Sequence, residues 1–232
     1  MRQFPLMLFA AGFGNRMGAL TRDRPKPLID VVGRSLLDHA LALADEAGIT
    51  RRVANLHYRG AQLADQLKDR NVAPSWESAE ILETGGGLRN ALPLLGSGPV
   101  MTLNTDAVWS GTNPLAELSQ NWDDARMSAL LLLVPLQSAV GHTGTGDFLM
   151  AADGRITRAS GQPGLVYVGA QIVDPAGLHD IPQSVFSLNV LWDRLIAEGR
   201  AFGILHDGAW CDVGRPEGIA LAEAMLAKSG NV

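Results

Sequence analysis

The amino-acid sequence predicts an α/β protein with a mostly parallel central sheet and helices on both faces. Three observations carry that expectation. Strand-like and helix-like stretches alternate through the first part of the chain, the pattern that parallel strands joined by crossover helices produce. The first strand-like run breaks directly into Gly12-Phe13-Gly14. Finally, 232 residues with 47% hydrophobic content can bury a continuous core without covalent staples.

In chain order, FPLMLFAAGF reads as a buried first strand rather than a leader, because Arg2 is a minimal cationic start and cleavage near Ala10 or Ala11 would sever the strand from its glycine loop. Residues 36–47 place apolar side chains at helical spacing and stop at Gly48, a natural helix end. A strand over 52–57, a helix over 61–67 and a strand over 73–77 follow. ETGGG, from Glu83 to Gly87, reads as a turn ahead of a helix over 88–95, since three consecutive glycines bring a backbone close to something flat or bulky. A strand over 100–103 delivers Asn104, Thr105 and Asp106 at its carboxyl end, where ligands of open α/β sheets gather.

Beyond it, 113–121 reads as a helix and 127–135 as a core strand. Residues 141–148 form a glycine-rich loop around His142, a candidate sugar or phosphate contact, and Asp153-Gly154 turns a hairpin between 148–151 and 155–158. The strand over 165–173 carries Gly169, a bulge signal. A helix over 187–198, a strand over 202–206, a tight turn at Trp210 to Gly214 and a helix over 216–227 complete one domain spanning 1–232. The hairpin and loop at 141–173 are inserted within it.

The chemistry concentrates in residues 8–32. Gly12 and Gly14 let backbone N–H groups approach oxygen atoms closely, and Arg16 and Lys26 bracket the loop with charge that a backbone alone cannot supply. That is the layout of a polyphosphate cradle. A formal charge of −5 excludes a general nucleic-acid binder, which needs a basic face, so the cations that matter are local. The apolar run at 129–136 is too short to span a bilayer and contains Pro135. The single cysteine, Cys211, cannot form an internal disulfide and suits a reducing cytoplasm as a buried free thiol. A dinucleotide-dependent oxidoreductase would need a glycine where Met17 stands and an acidic residue where the second strand ends at His57.

AAGFGNRMGALTRDRPKPLI resembles the signature of the sugar-1-phosphate nucleotidyltransferases, with every fixed position of that pattern filled. The ordered matches continue through ETGGG, Asn104 to Asp106, Gly146 to Phe148, and Trp210 to Gly214, and so cover essentially the whole chain. The resemblance implies a Rossmann-like nucleotidyltransferase fold acting on a nucleoside triphosphate and a sugar-1-phosphate. It implies a monomer or small homo-oligomer without nucleic-acid or membrane partners. Arg16 and Lys26 would be the catalytic cations. Ala11, Gly12, Gly14, Glu83, Gly86 and Asn104 would hold the nucleotide, and Asp147, Val168 and Gly169 would meet the sugar. Asp106 and Asp212 would hold Mg²⁺.

Two departures accompany the match: Thr105 replaces the usual glycine, and a lysine of an E-K-P motif is missing from the stretch 158–163. ETGGG, the GDF loop and WCDVG look most like the uridylyltransferase branch of cell-wall recycling. A mannose-1-phosphate guanylyltransferase and a glucose-1-phosphate uridylyltransferase-like enzyme share the same motifs. A regulatory homologue without turnover would be expected to lack some of Arg16, Lys26, Asp106 and Asp212, all of which are present.

Overall fold

A computed structural model describes residues 3–230; Arg2, ahead of the first strand, lies outside them. The chain runs β1 (Leu6–Phe9), β2 (Asp30–Val31), β3 (Arg34–Ser35), α1 (Leu36–Glu46), β4 (Arg52–Leu56), α2 (Gly60–Leu67), β5 (Val72–Trp76), α3 (Glu83–Leu95), β6 (Val100–Asn104) and β7 (Ala107–Gly111). It continues through α4 (Pro114–Asn121), β8 (Ala129–Val134), β9 (Ala139–Val140), β10 (Phe148–Met150), β11 (Ile156–Arg158), β12 (Val166–Val173), α5 (Asn189–Ala197), β13 (Ala201–Leu205), β14 (Gly208–Asp212) and α6 (Glu217–Lys228).

Seven strands form the central sheet in the order β13-β8-β12-β6-β1-β4-β5. All neighbours are parallel except β12, which is antiparallel to both β8 and β6. Strands buried on both faces read as continuous apolar runs, and β1 is one. Leu6 and Leu8 face a core shared with α1, α2 and α4, while Met7 faces a second core shared with α3 and α5. Local signals set the helix ends: the Ser35 hydroxyl accepts the Asp38 N–H at the start of α1, and Gly48 with φ 67° follows its end.

The bulge expected at Gly169 is present. The β12–β8 register slips between Tyr167 and Gln171, and Gly169 has φ 82°. A Cβ there would lie 2.8 Å from the Asn104 side chain, so only glycine lets β12 pass beside the end of β6. The β10–β11 hairpin attaches through bridges from Phe148 to Leu165 and from Arg155 to Phe202.

Two expectations are corrected. ETGGG is the first part of α3, not a turn ahead of it. The intrinsic cost of three helical glycines, about 1 kcal/mol each, is offset by close packing: a Cβ on Gly85 would lie 2.4 Å from the Phe186 ring, and one on Gly86 2.4 Å from the Ser184 carbonyl. WCDVG, expected as a tight turn, begins as strand. Trp210, Cys211 and Asp212 belong to β14, the middle of a three-stranded sheet β7-β14-β9 that covers α6.

Candidate active site

A cleft of about 390 Å³ opens at the carboxyl ends of β1 and β6. These strands are parallel neighbours with Phe9 opposite Asn104, so the segments that follow them leave the sheet side by side. The Thr105 hydroxyl and N–H both donate to the Phe9 carbonyl, at 2.7 and 3.4 Å. The side chain that departs from the usual glycine therefore turns back to clip the two strand ends together.

The loop after β1 folds around Gly14. With φ 67°, and with Thr21 Cγ2 and Lys26 Cβ only 2.9 and 3.1 Å from where a Cβ would stand, the position excludes any other residue. The Gly14 carbonyl accepts the Met17 N–H at 2.8 Å and the Thr21 hydroxyl at 3.1 Å, closing the loop. Lys26 opens a short 3-10 turn after Pro25 and is 8% exposed. Its ammonium donates to Asp106 Oδ2 at 2.7 Å.

Asp212 reaches the same place from β14. Asp212 pairs with Ala107 across the β14–β7 ladder, and the Val213 N–H donates to the Asp106 carbonyl at 2.9 Å. Burial, and then the negative charge of Asp106, push the Asp212 carboxyl above its usual range; Lys26, Arg16 and the Gly214 backbone pull in the other direction. Gly214 marks the junction: a Cβ on it would lie 2.8 and 2.9 Å from the Asp212 oxygens and 3.2 Å from an Arg16 guanidinium nitrogen. Two cations and two carboxylates thus gather at the mouth of a glycine loop.

The pair fits a divalent ion. Two hard oxygen donors come together on adjacent strand ends, and the charge of Asp106 adds to burial in raising the Asp212 carboxyl. Mg²⁺ commonly takes one or two carboxylates and completes its shell with phosphate and water.

The cleft brings together most of the residues singled out from the sequence. Ala11, Gly12 and Gly14 line it from the loop, Asn104 from β6, and Glu83 from the head of α3. Glu83 holds the left-handed conformation at φ 61°, strain of the kind that persists at ligand sites. Others lie elsewhere. Gly86 packs on Ser184 instead of lining the cleft. The Asp147 carboxylate accepts the Tyr167 N–H at 2.8 Å, tying the loop to β12 beside its bulge. Val168 points into the core, and Gly169 backs onto Asn104. His142 follows Gly141, which abuts the Asp212 carbonyl, and its Nε2 is buried without a hydrogen-bond partner among the described residues.

Sequence reasoning missed Asn55 and Glu77. Asn55 lines the cleft at its base; its Oδ1 accepts the Ala10 N–H at 2.7 Å and its Nδ2 donates to Glu77 Oε1 at 2.7 Å. Glu77 Oε2 accepts the Leu82 N–H at 2.8 Å. The available signal was an amide among the apolar residues that follow Arg52 in the strand RVANL.

Residues 6–142 match the MobA-like NTP transferase domain family. N-acetylmuramate alpha-1-phosphate uridylyltransferase of Caulobacter vibrioides is 40% identical over 96% of this chain and 97% of the relative. The protein of the same description from Neisseria meningitidis serogroup B is 35% identical over 90% and 92%. Among solved structures, UDP-glucose pyrophosphorylase from Acinetobacter baumannii superposes with TM-score 0.79 at 16% identity, covering 97% of this chain and 93% of that one. HddC from Yersinia pseudotuberculosis complexed with GMP-PN superposes with TM-score 0.77 at 20% identity, covering 96% and 99%.

Proposed function

The chain belongs to the MobA-like NTP transferase family, and from that premise we propose that it joins UTP to N-acetylmuramate 1-phosphate, giving the uridine-diphosphate sugar and pyrophosphate. It is a sugar-1-phosphate nucleotidyltransferase. The observation that carries the reaction type is the Lys26–Asp106 contact at 2.7 Å inside the glycine-lined cleft, with Arg16 and Asp212 against Gly214. The uridylyl group and the muramate sugar are proposed from the two relatives that match over nearly their full lengths.

A sugar phosphate is a monoester with its second pKa at about 6, so its oxygen reaches the cleft already ionised. It needs no general base to attack the α-phosphorus in line. What the protein must supply is alignment and relief of the repulsion between two polyanions. Backbone N–H groups around Gly12 to Gly14 cradle the triphosphate. The Arg16 guanidinium holds the departing pyrophosphate with a planar fork of donors, and Lys26 stands as a point charge between the α-phosphate and the attacking oxygen. A magnesium ion on Asp106 and Asp212 would supply further neutralisation of phosphate charge. Asn104 lines the cleft with the nucleotide, and Gly169, packed behind it, meets the sugar through its backbone. We place the reaction in peptidoglycan recycling on the strength of the muramate sugar proposed from those two relatives, and in the cytoplasm, whose reducing conditions suit the free buried thiol of Cys211.

The test is pyrophosphate release with Mg²⁺, crossing UTP and GTP with the 1-phosphates of N-acetylmuramate, N-acetylglucosamine, glucose and mannose. Release confined to UTP with the muramate sugar supports the proposal. Preference for another pair overturns the substrate assignment and keeps the reaction type; no release from any pair, with nucleotide bound, overturns both.

A further inference from the structure

Glu77 is a carboxylate only 2% exposed, and its side-chain partners are neutral donors, the Asn55 amide and the Leu82 N–H. Burying a carboxylate on neutral donors is costly unless its oxygens are satisfied in a fixed geometry. Here they are. Asn55, 4% exposed, uses its other amide atom to accept the Ala10 N–H. One chain of hydrogen bonds therefore runs from Ala10, where the phosphate loop leaves β1, through Asn55 and Glu77 to Leu82, which caps the head of α3. The residues at its two ends continue directly into the lining of the cleft, Ala11 and Gly12 from the loop after β1 and Glu83 and Thr84 from the head of α3.

Gly87 makes the chain possible. A Cβ on it would lie 2.6 Å from Glu77 Oε1 and 3.0 Å from Asn55 Nδ2, so the last glycine of ETGGG is the space into which this pair fits. The main chain of Glu77 is held as well: its N–H donates to the Leu56 carbonyl at 2.9 Å, and its carbonyl bonds His57 Nδ1 at 2.6 Å.

We propose that Asn55 and Glu77 are a positioning pair that holds the phosphate loop in register with the head of α3, so that the nucleoside triphosphate meets both walls of its site as one preformed unit. The proposal rests on the cleft being the nucleotide site, as argued above. Neither residue touches the reacting atoms. Both act through the backbone N–H groups of Ala10 and Leu82, and the chain has a direction: acceptor to Ala10, donor to Glu77, acceptor to Leu82.

That direction gives the test. Glu77→Gln leaves one donor facing another in every orientation of the two amides, and Asn55→Asp sets two carboxylates against each other. The double variant Asn55→Asp with Glu77→Gln restores each hydrogen bond with the charge moved from 77 to 55. Each protein is assayed for UTP affinity with Mg²⁺ by calorimetry, for KM of UTP and of N-acetylmuramate 1-phosphate, and for Tm. The expected result is a loss of UTP affinity of at least about tenfold in each single variant, KM for the sugar phosphate within about threefold, and UTP affinity in the double variant within about threefold of wild type.

A folded double variant as weak for UTP as the worse single variant overturns the proposal. So does a loss shared equally by both substrates, or a double variant that fails to fold. A single variant that fails to fold while the double variant folds and binds UTP normally supports it. Should wild type bind GTP and not UTP, the uridylyl assignment falls and the same cycle run with GTP still decides the pair.

Discussion

Replacing Lys26 with alanine removes a buried ammonium from the cleft, and its cost divides between fold and turnover in a way the structure specifies. At 2.7 Å from Asp106 Oδ2, the gross attraction is roughly 6 kcal/mol at an effective dielectric of about 20, most of it offset by desolvation of the buried ammonium. The partner side chain is 32% exposed, so water can rehydrate Asp106 once Lys26 is gone. The fold should lose on the order of 1 kcal/mol, or about 2–4 °C in Tm for a chain of this size. Turnover should lose more. A preorganised charge aimed at a developing anion contributes about 3–4 kcal/mol, so kcat should fall roughly 10²- to 10³-fold. Lys26→Arg should rescue poorly, because a planar fork does not replace a compact ammonium in so tight a turn. Pyrophosphate release at saturating substrates, beside thermal unfolding, measures both parts. A folded Lys26→Ala protein with kcat within about threefold of wild type would refute the reasoning.

Three further outcomes follow from the same geometry. The folded Asp212 carboxyl is raised above its unfolded range by burial and by Asp106, so its ionisation destabilises the metal-free protein above that raised pKa, and the penalty is relieved as pH falls through it. Asp212→Asn should accordingly abolish turnover while raising Tm of the metal-free protein at pH 7; a lower Tm would contradict the sign. Gly85→Ala drives a methyl into the Phe186 ring and should destabilise by about 1–3 kcal/mol, read as a lower denaturant midpoint with unchanged slope. Burial pushes the Cys211 thiol up to about 12, so thiol reagents at pH 8 should modify the unfolded protein promptly and the native protein hardly at all.

The glycine loop after β1 was legible as a cleft-lining loop because its requirements are local: two glycines, two cations and a returning apolar run, all within 25 residues (8–32). Strand ends carrying Asp106 and Asp212 were legible as motifs, yet their meeting was not. It depends on the β14–β7 pairing between short segments more than 90 residues apart, AVWSG and GAWCD. ETGGG misled for a related reason. Its glycines read as a turn locally, and only Phe186 and Ser184, about 100 residues away, together with the buried Glu77 carboxyl, make a helix of glycines the better packed solution. Asp147 sat in a loop that reads as ligand-facing, but its carboxylate is engaged by the Tyr167 N–H beside the β12 bulge, a donor that no sequence pattern announces. Thr105 was the opposite case: an apparent departure whose hydroxyl finds the Phe9 carbonyl and clips the ends of β1 and β6 together.

The most direct measurement is turnover of UTP made chiral at the α-phosphorus by a single sulfur, with N-acetylmuramate 1-phosphate as acceptor and the configuration of the uridine-diphosphate sugar read by ³¹P NMR. One in-line displacement by the sugar phosphate predicts inverted configuration in a product that forms together with an equal amount of pyrophosphate. Retention would mean that a side chain takes the uridylyl group first, and absence of product from unmodified UTP in the parallel control would mean that the cleft serves another pair of substrates.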